Sequence, residues 1–185
     1  MKIIAFLILT VWLLAGLYFG MGGISRISVD EVTESIDKQK DALKKDTTDL
    51  VLNGITIQNK YQLKYVLEYS NLENFFPWAI QLTTFSSFLV TSMSFGLLGA
   101  IINILIQIVT SNLKVEESNY ISKPLLGLLT GIVVLGLSYL LPTLIVKGDA
   151  QIKPLSLMFL CLFCGIYSAK FYEKMSDSFD KLFTK

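Results

Sequence analysis

Residues 78–110 read WAIQLTTFSSFLVTSMSFGLLGAIINILIQIVT, and none of these 33 residues is charged. As one helix they would extend roughly 50 Å, against a bilayer hydrocarbon core of roughly 30 Å. A helix of that length must tilt or leave the bilayer at one end. Its polar residues follow a helical period. Ser92, Gly96, Gly99, Ala100, Asn103 and Gln107 recur at spacings of three and four and share one face. In lipid, helices approach closely through small residues and hydrogen-bond through buried amides. A second face carries the hydroxyls of Thr84, Ser87, Thr91 and Ser94. One face suits a neighbouring helix of the same chain and the other a second subunit, so this helix is read as the centre of an assembly.

The rest of the composition agrees with a membrane class. The chain has 185 residues, of which 52% are hydrophobic. Its net charge of +1 gives no global pull toward nucleic acid. Histidine is absent, which removes the usual general base, the usual pH switch and most zinc or haem ligation. Cys161 and Cys164 form a C-x-x-C inside an apolar run. That spacing can mean a redox pair or half a metal site, but no second pair completes a site. Small, polarisable packing residues are the simpler reading.

Taken in order, the expected architecture is an all-α membrane protein. It has four transmembrane helices and a small α or α+β extracytoplasmic segment between the first two. Residues 1–22 hold the first span, IIAFLILTVWLLAGLYFGM after Lys2, with no A-x-A cleavage motif behind it. Gly16 and Gly20 give a G-x-x-x-G packing spacing, and Trp12 and Tyr18 read as bulk or interface anchors. Gly22-Gly23 is expected to break the helix. Residues 23–77 follow as the extracytoplasmic segment. Ser28-Val-Asp-Glu31 matches a capping box that would start a new helix. Val29, Val32, Ile36, Leu43 and Leu50 then fall near heptad spacing. They fit a solvated amphipathic helix or, more sharply, a stalk between subunits. Asn53-Gly54 between β-favouring runs signals a hairpin, and the same pair can end a helix. A helix is expected from Asn59 to Leu72, with Leu63, Val66, Leu67 and Ser70 on one side. Asn74-Phe-Phe-Pro-Trp78 marks the membrane interface, with Pro77 suited to a first helical position.

After the central span, 78–110, come a cytoplasmic loop at 111–123 and a third helix at 124–146. Gly127 and Gly131 give a further G-x-x-x-G there, and Pro142 should bend the far end. A short outer loop, 147–153, leads to a fourth helix at 154–171, where Cys161, Gly165 and Ala169 form a small-residue stripe. Short loops imply an antiparallel bundle. Residues 172–185 complete an amphipathic cytoplasmic tail, with Phe171, Tyr172, Met175, Phe179, Leu182 and Phe183 on one face. Phe179, Leu182 and Phe183 are candidate contacts for the membrane surface or for a soluble partner.

Four spans put both termini on one side. With the termini inside, Lys2, Lys114, Lys123, Lys170, Lys174, Lys181 and Lys185 are cytoplasmic, and Arg26, Lys64, Lys147 and Lys153 lie outside. That distribution favours cytoplasmic termini. Between the expected helix ends no Asp, Glu, Lys or Arg occurs apart from Lys170 at the close of the fourth, which argues against an ion-coupled transporter. No nucleophile–base pair, phosphate loop or metal constellation is legible, and Glu116-Glu117 reads as a solvated turn. The chain is therefore not expected to be an enzyme or to carry a cofactor. Two classes remain. One is an oligomeric sensor or scaffold. The other is a small homo-oligomeric pore lined by Thr84, Ser87, Thr91, Asn103 and Gln107. The same residues fit equally well as glue between helices. Ser92, Gly96, Gly99, Ala100, Asn103, Gly127, Gly131 and Gly165 are the candidate residues for helix or oligomer packing.

The opening MKIIAFLILTVWLLAGLYFG, the long segment after the first span, and three further spans ending in CLFCGIYSAKFYEKMSDSFDKLF resemble the membrane subunit of the bacterial Kiwa anti-phage defence system. The likeness covers the whole chain by layout, and it brings no catalytic motif. It implies a homo-oligomer, with a tetramer favoured, in the bacterial inner membrane. It further implies detection of phage contact at the envelope. A cytoplasmic DNA-binding effector protein would be the partner, while this chain itself would bind lipid and no nucleic acid.

Overall fold

The structure, a computed structural model, describes residues 3–38, 50–52, 55–57, 60–110, 117–145 and 153–183, with side chains described for 3–33, 62–110, 117–140 and 153–178. The helices are α1 (Ile3–Lys38), α2 (Lys60–Phe75), α3 (Thr84–Thr110), α4 (Asn119–Ile145), α5 (Pro154–Ile166) and α6 (Ser168–Phe183). A short 3-10 helix covers Pro77–Gln81. Two strands, β1 (Leu50–Leu52) and β2 (Ile55–Ile57), pair antiparallel with Leu50 opposite Ile57. Asn53 and Gly54 lie outside the described residues. Two strands of three residues make no sheet layer, so the architecture is all-helical and an α+β segment is not supported. Among the described residues three helices are long and apolar enough to cross a membrane, or four if the bent pair α5–α6 counts as one span.

Several expected boundaries move. Gly22-Gly23 does not end the first helix, because α1 runs through it to Lys38. A Cβ on Gly22 would stand 2.5 Å from Trp78 Cζ2 and 3.1 Å from Phe76 Cδ1. The glycine therefore admits an aromatic pair. Its helix penalty, about 1 kcal/mol relative to alanine, is met by that packing. The capping box at Ser28–Glu31 falls in the middle of α1 and caps nothing. Asp30 instead pairs with Arg26 one turn away.

The central apolar run also divides. Pro77 opens the 3-10 helix, and α3 starts only at Thr84. Thr83 caps it: the Ser86 amide donates to Thr83 Oγ1 at 3.2 Å, and the Ser87 amide donates to the Thr83 carbonyl at 2.9 Å. The 27 residues of α3 extend roughly 40 Å, which a tilted span accommodates. The third helix begins at Asn119, five residues before the expected start, from a turn in which the Ser122 amide and hydroxyl both donate to the Ser118 carbonyl at 2.9 Å. It continues through Pro142 to Ile145. The largest change is in the fourth helix. Residues 154–171 are not one helix: α5 has 13 residues, roughly 20 Å, and at Tyr167 the axis turns by 92° into α6.

The chain forms two compact units, Met21–Ser87 and Met1–Gly20 with Phe88–Lys185. In the first, Val29, Leu72 and Ala79 make a core wrapped by Tyr65, Phe76, Trp78 and Ile80. Val29 and Val32 are buried inside their own chain, so these members of the heptad series do not form a stalk between subunits. Leu43 lies outside the described residues. Leu72 is the buried position of α2, whereas Leu67 is exposed. In the second unit Ala5 and Leu9 of α1 pack on Leu97, Ile101 and Ile104 of α3 and on Tyr120 of α4. Val134 and Leu135 of α4 pack on Leu157 and Cys161 of α5.

Candidate functional site: a glycine seam with polar ends

Within the second unit, α3 is the axis. From Phe88 to Ile104 no residue is exposed. The small-residue face predicted from spacing is divided between two helices of the same chain. A Cβ added at Gly96 would stand 2.2 Å from the Gly127 carbonyl oxygen of α4, and one at Gly131 would stand 2.1 Å from the Ser92 oxygen. A Cβ at Gly127 would meet Ala100 Cβ at 2.7 Å. On the α5 side, a Cβ at Gly99 would stand 2.2 Å from Leu162 O, and one at Gly165 would stand 2.3 Å from Gly96 O. These distances are far inside contact, so only glycine lets the three backbones meet. Gly96 is the node, since its carbonyl faces both Gly127 and Gly165. Ser92, Gly96, Gly99, Ala100, Gly127, Gly131 and Gly165 are thus brought together in one intramolecular seam.

The hydroxyl face is likewise consumed within the chain. Ser94 donates to its own helix at Val90 O, 2.8 Å away, and its Cβ is the nearest atom to the Cβ that Gly20 lacks, at 3.4 Å. Gly16 faces Leu97 and Leu98 in the same way. The G-x-x-x-G of the first span therefore receives α3. Thr91 and Ser92 are buried at 1% exposure each, and Thr130 of α4 returns its hydroxyl to Leu126 O at 2.7 Å. Cys161 is buried with its sulfur 4.0 Å from Gly131 O, a packing position in the seam.

The lower end of the seam is polar. Asn103 Nδ2 donates to the Ile166 carbonyl at 2.8 Å. Gln107 Nε2 donates to Asn103 Oδ1 at 2.8 Å, and Lys123 Nζ donates to Gln107 Oε1. Ile166 is the last residue of α5, where the turn leaves carbonyls without intrahelical donors. In lipid such groups need a partner from the protein. Asn103 supplies it, and the row of amides links the Lys123 charge to the negative end of the α5 dipole. Lys123 and the Ile166 carbonyl were not legible as partners in sequence. The signal available was the position of Asn103, Gln107 and a lysine at compatible depths on two antiparallel helices.

The other helix break, at Leu82–Thr83, is closed by charge. Arg26 Nε donates to Leu82 O at 3.2 Å, Arg26 pairs with Asp30, and Thr84 Oγ1 donates to Asp30 Oδ2 at 2.9 Å. Arg26, Asp30 and Lys123 thus lie inside helices, which corrects the expectation that no charge falls between helix ends. That expectation ended the first helix too early and started the third too late. Phe179, Leu182 and Phe183 belong to α6, but their side chains lie outside the described set.

No protein-family model, curated protein or solved structure matches this chain. The class is defined by the fold itself. Among its described residues this is a helical protein with three to four apolar helices long enough to cross a membrane. Among the described residues no group of three His, Cys, Asp or Glu side chains assembles that could hold a metal ion.

Proposed function

We propose that the chain is an oligomeric sensor and scaffold subunit of a bacterial anti-phage defence complex in the inner membrane. In this reading residues 23–77 lie outside the cytoplasm and respond to envelope perturbation on phage attachment. A cytoplasmic DNA-binding effector is held at the face carrying residues 111–123 and α6. A homotetramer is the favoured assembly. The α5 helix runs parallel to α3, because Cys161 lies beside Gly131 while Ile166 reaches Asn103. The chain therefore returns toward the side where α4 begins, which in this reading is the cytoplasmic side.

The observation that carries the proposal is the separate core of the Met21–Ser87 unit, built on Val29, Leu72 and Ala79. Such a unit gives a sensor of the envelope a folded part of its own with which to respond. The packing supports the pore reading less well. Thr91 is buried within the chain, Thr84 is bonded to Asp30, and Asn103 and Gln107 are committed to the end of α5. The test is purification of the tagged chain from its native host in mild detergent, with the mass of the assembly measured on the same sample. A defined oligomer carrying a stoichiometric, DNA-binding soluble protein is expected. A monomer, or an oligomer without a partner that conducts in a planar bilayer, overturns the proposal.

A further inference from the structure

Four groups from three helices form one directed row. Lys123 Nζ of α4 donates to Gln107 Oε1 of α3. Gln107 Nε2 donates to Asn103 Oδ1, and Asn103 Nδ2 donates to the Ile166 carbonyl of α5, each at 2.8 Å. The two ends fix the direction. An ammonium only donates and a carbonyl only accepts, so each amide between them has one orientation that serves both neighbours. Without the ammonium, the amides are free to turn over and exchange donor for acceptor. Hydrogen bonds in a row also polarise one another, so the charge on Lys123 strengthens the last link at Ile166.

That last link sits where the chain turns. The Tyr167 amide donates to Phe163 O at 3.3 Å and the Phe171 amide to Tyr167 O at 2.8 Å, so hydrogen-bonded helix flanks the 92° bend on both sides. Tyr167 has a φ of −106°, which any residue adopts, and no proline follows Pro154 as far as Phe183. Contacts from outside the turn therefore hold it. One is Asn103 on the Ile166 carbonyl. The other is Phe171 against the core of Val134, Leu135, Leu157 and Cys161. Only the first is tied to Lys123. We infer that the row is a relay by which the start of α4 sets how firmly α6 is held. With the Lys123 ammonium on Gln107, the turn at Tyr167 is fixed. When the ammonium is drawn away, both amides turn over, Ile166 loses its donor, and α6 hangs on Phe171 alone. Lys123 is half-buried rather than enclosed, in the second turn of α4 beside exposed Ser122, so an anion at that end of the helix competes for it. Lys123 and Gln107 are positioning residues in this device. The inference rests on the packing of α3, α4 and α5 and not on the defence reading, so the two fail separately.

The experiment measures the bend in the full chain in nanodiscs, by pulsed dipolar spectroscopy between spin labels at Leu155→Cys and Asp177→Cys on a Cys161→Ala/Cys164→Ala background. Both labelled positions are exposed. They lie 12 residues before and 10 residues after Tyr167 (167 − 155 and 177 − 167), roughly 18 Å and 15 Å of helix. At 92° their backbones stand roughly 23 Å apart, against roughly 33 Å in a straight helix. The native row should give one narrow distribution at the bent value. Lys123→Met keeps the stem without the donors and should spread the distribution toward longer separations, while Lys123→Arg should keep it narrow. Asn103→Leu cuts the last link and should spread it most. Where Lys123→Met does not fold, Gln107→Glu carries the test: it keeps a partner for Lys123 but cannot donate to Asn103, and it should spread the distribution too. Four outcomes overturn the inference. A spread native distribution means the turn is not fixed. A native distribution in both Lys123→Met and Gln107→Glu, with Asn103→Leu spread, means Asn103 acts without a relay. Equal spread in Lys123→Met and Lys123→Arg means shape matters and the donor does not. No change in any variant means Phe171 alone holds α6.

Discussion

Replacing Gly96 with alanine tests the seam at its tightest point. The added Cβ would stand 2.2 Å from Gly127 O, 2.9 Å from Gly131 N and 3.1 Å from Gly131 Cα. All three are backbone atoms, so no side chain can swing away. Ordinary carbon–oxygen contact begins near about 3.3 Å, so α3 and α4 must separate by roughly 1 Å. A gap of that size forfeits a quarter to a half of each dispersion contact along the seam. Overpacking of a close-packed core costs about 1–3 kcal/mol, and a backbone-to-backbone collision belongs at the upper end, about 3 kcal/mol. Gly136 in α4 is the internal control. A Cβ there meets nothing within 4 Å, and the change to alanine gains helix propensity of up to about 1 kcal/mol. Unfolding in mixed micelles titrated with SDS reads both. Gly96→Ala should lower the midpoint strongly, while Gly136→Ala should leave it unchanged or raise it. Gly127→Ala added to Gly96→Ala should cost less than its own single effect, because the helices are already apart. Equal stability of the two single variants would refute the packing argument. The comparison also separates fold from assembly. A bulkier Gly96→Leu acts first on the chain's own three-helix node.

Two further substitutions address the helix breaks. Asn103→Leu keeps the branched outline but removes the donor to Ile166 O, and should cost about 1–2 kcal/mol. Faster hydrogen exchange at amides 167–171 is the accompanying sign, and unchanged exchange there would show that the amide does not hold the turn. Thr83→Ala should cost about 1 kcal/mol by uncapping α3, with Thr83→Ser retaining the native midpoint. If Thr83→Ser and Thr83→Ala behave alike, the cap is not what starts α3.

The membrane class, the central helix and the small residues that matter were all legible in sequence. They follow from local rules: a long uncharged apolar run has the length and composition of a span, and residues three and four apart share a helical face. The partner of that face was not legible. Spacing says that Gly96 and Gly127 invite a backbone, but only the packed chain shows which backbone arrives. α4 and α5 both arrive, and together with α1 they leave no exposed residue on α3 between Phe88 and Ile104. Helix ends were misplaced for a related reason. Gly22-Gly23 reads as a stop when only local propensity is weighed. Trp78 and Phe76, more than fifty residues on, make the glycine worth keeping in mid-helix. The break at Tyr167 carries no proline or glycine of its own beyond Gly165, and it exists because Asn103, 63 residues away, satisfies the carbonyl it exposes. Sequence alone determined that this chain is helical, apolar and built for close helix contact, because those properties are set by neighbours within a turn or two. Tertiary structure decided where each helix stops and which helix meets which, because in a medium without water every freed backbone group must find its partner from a distant part of the chain.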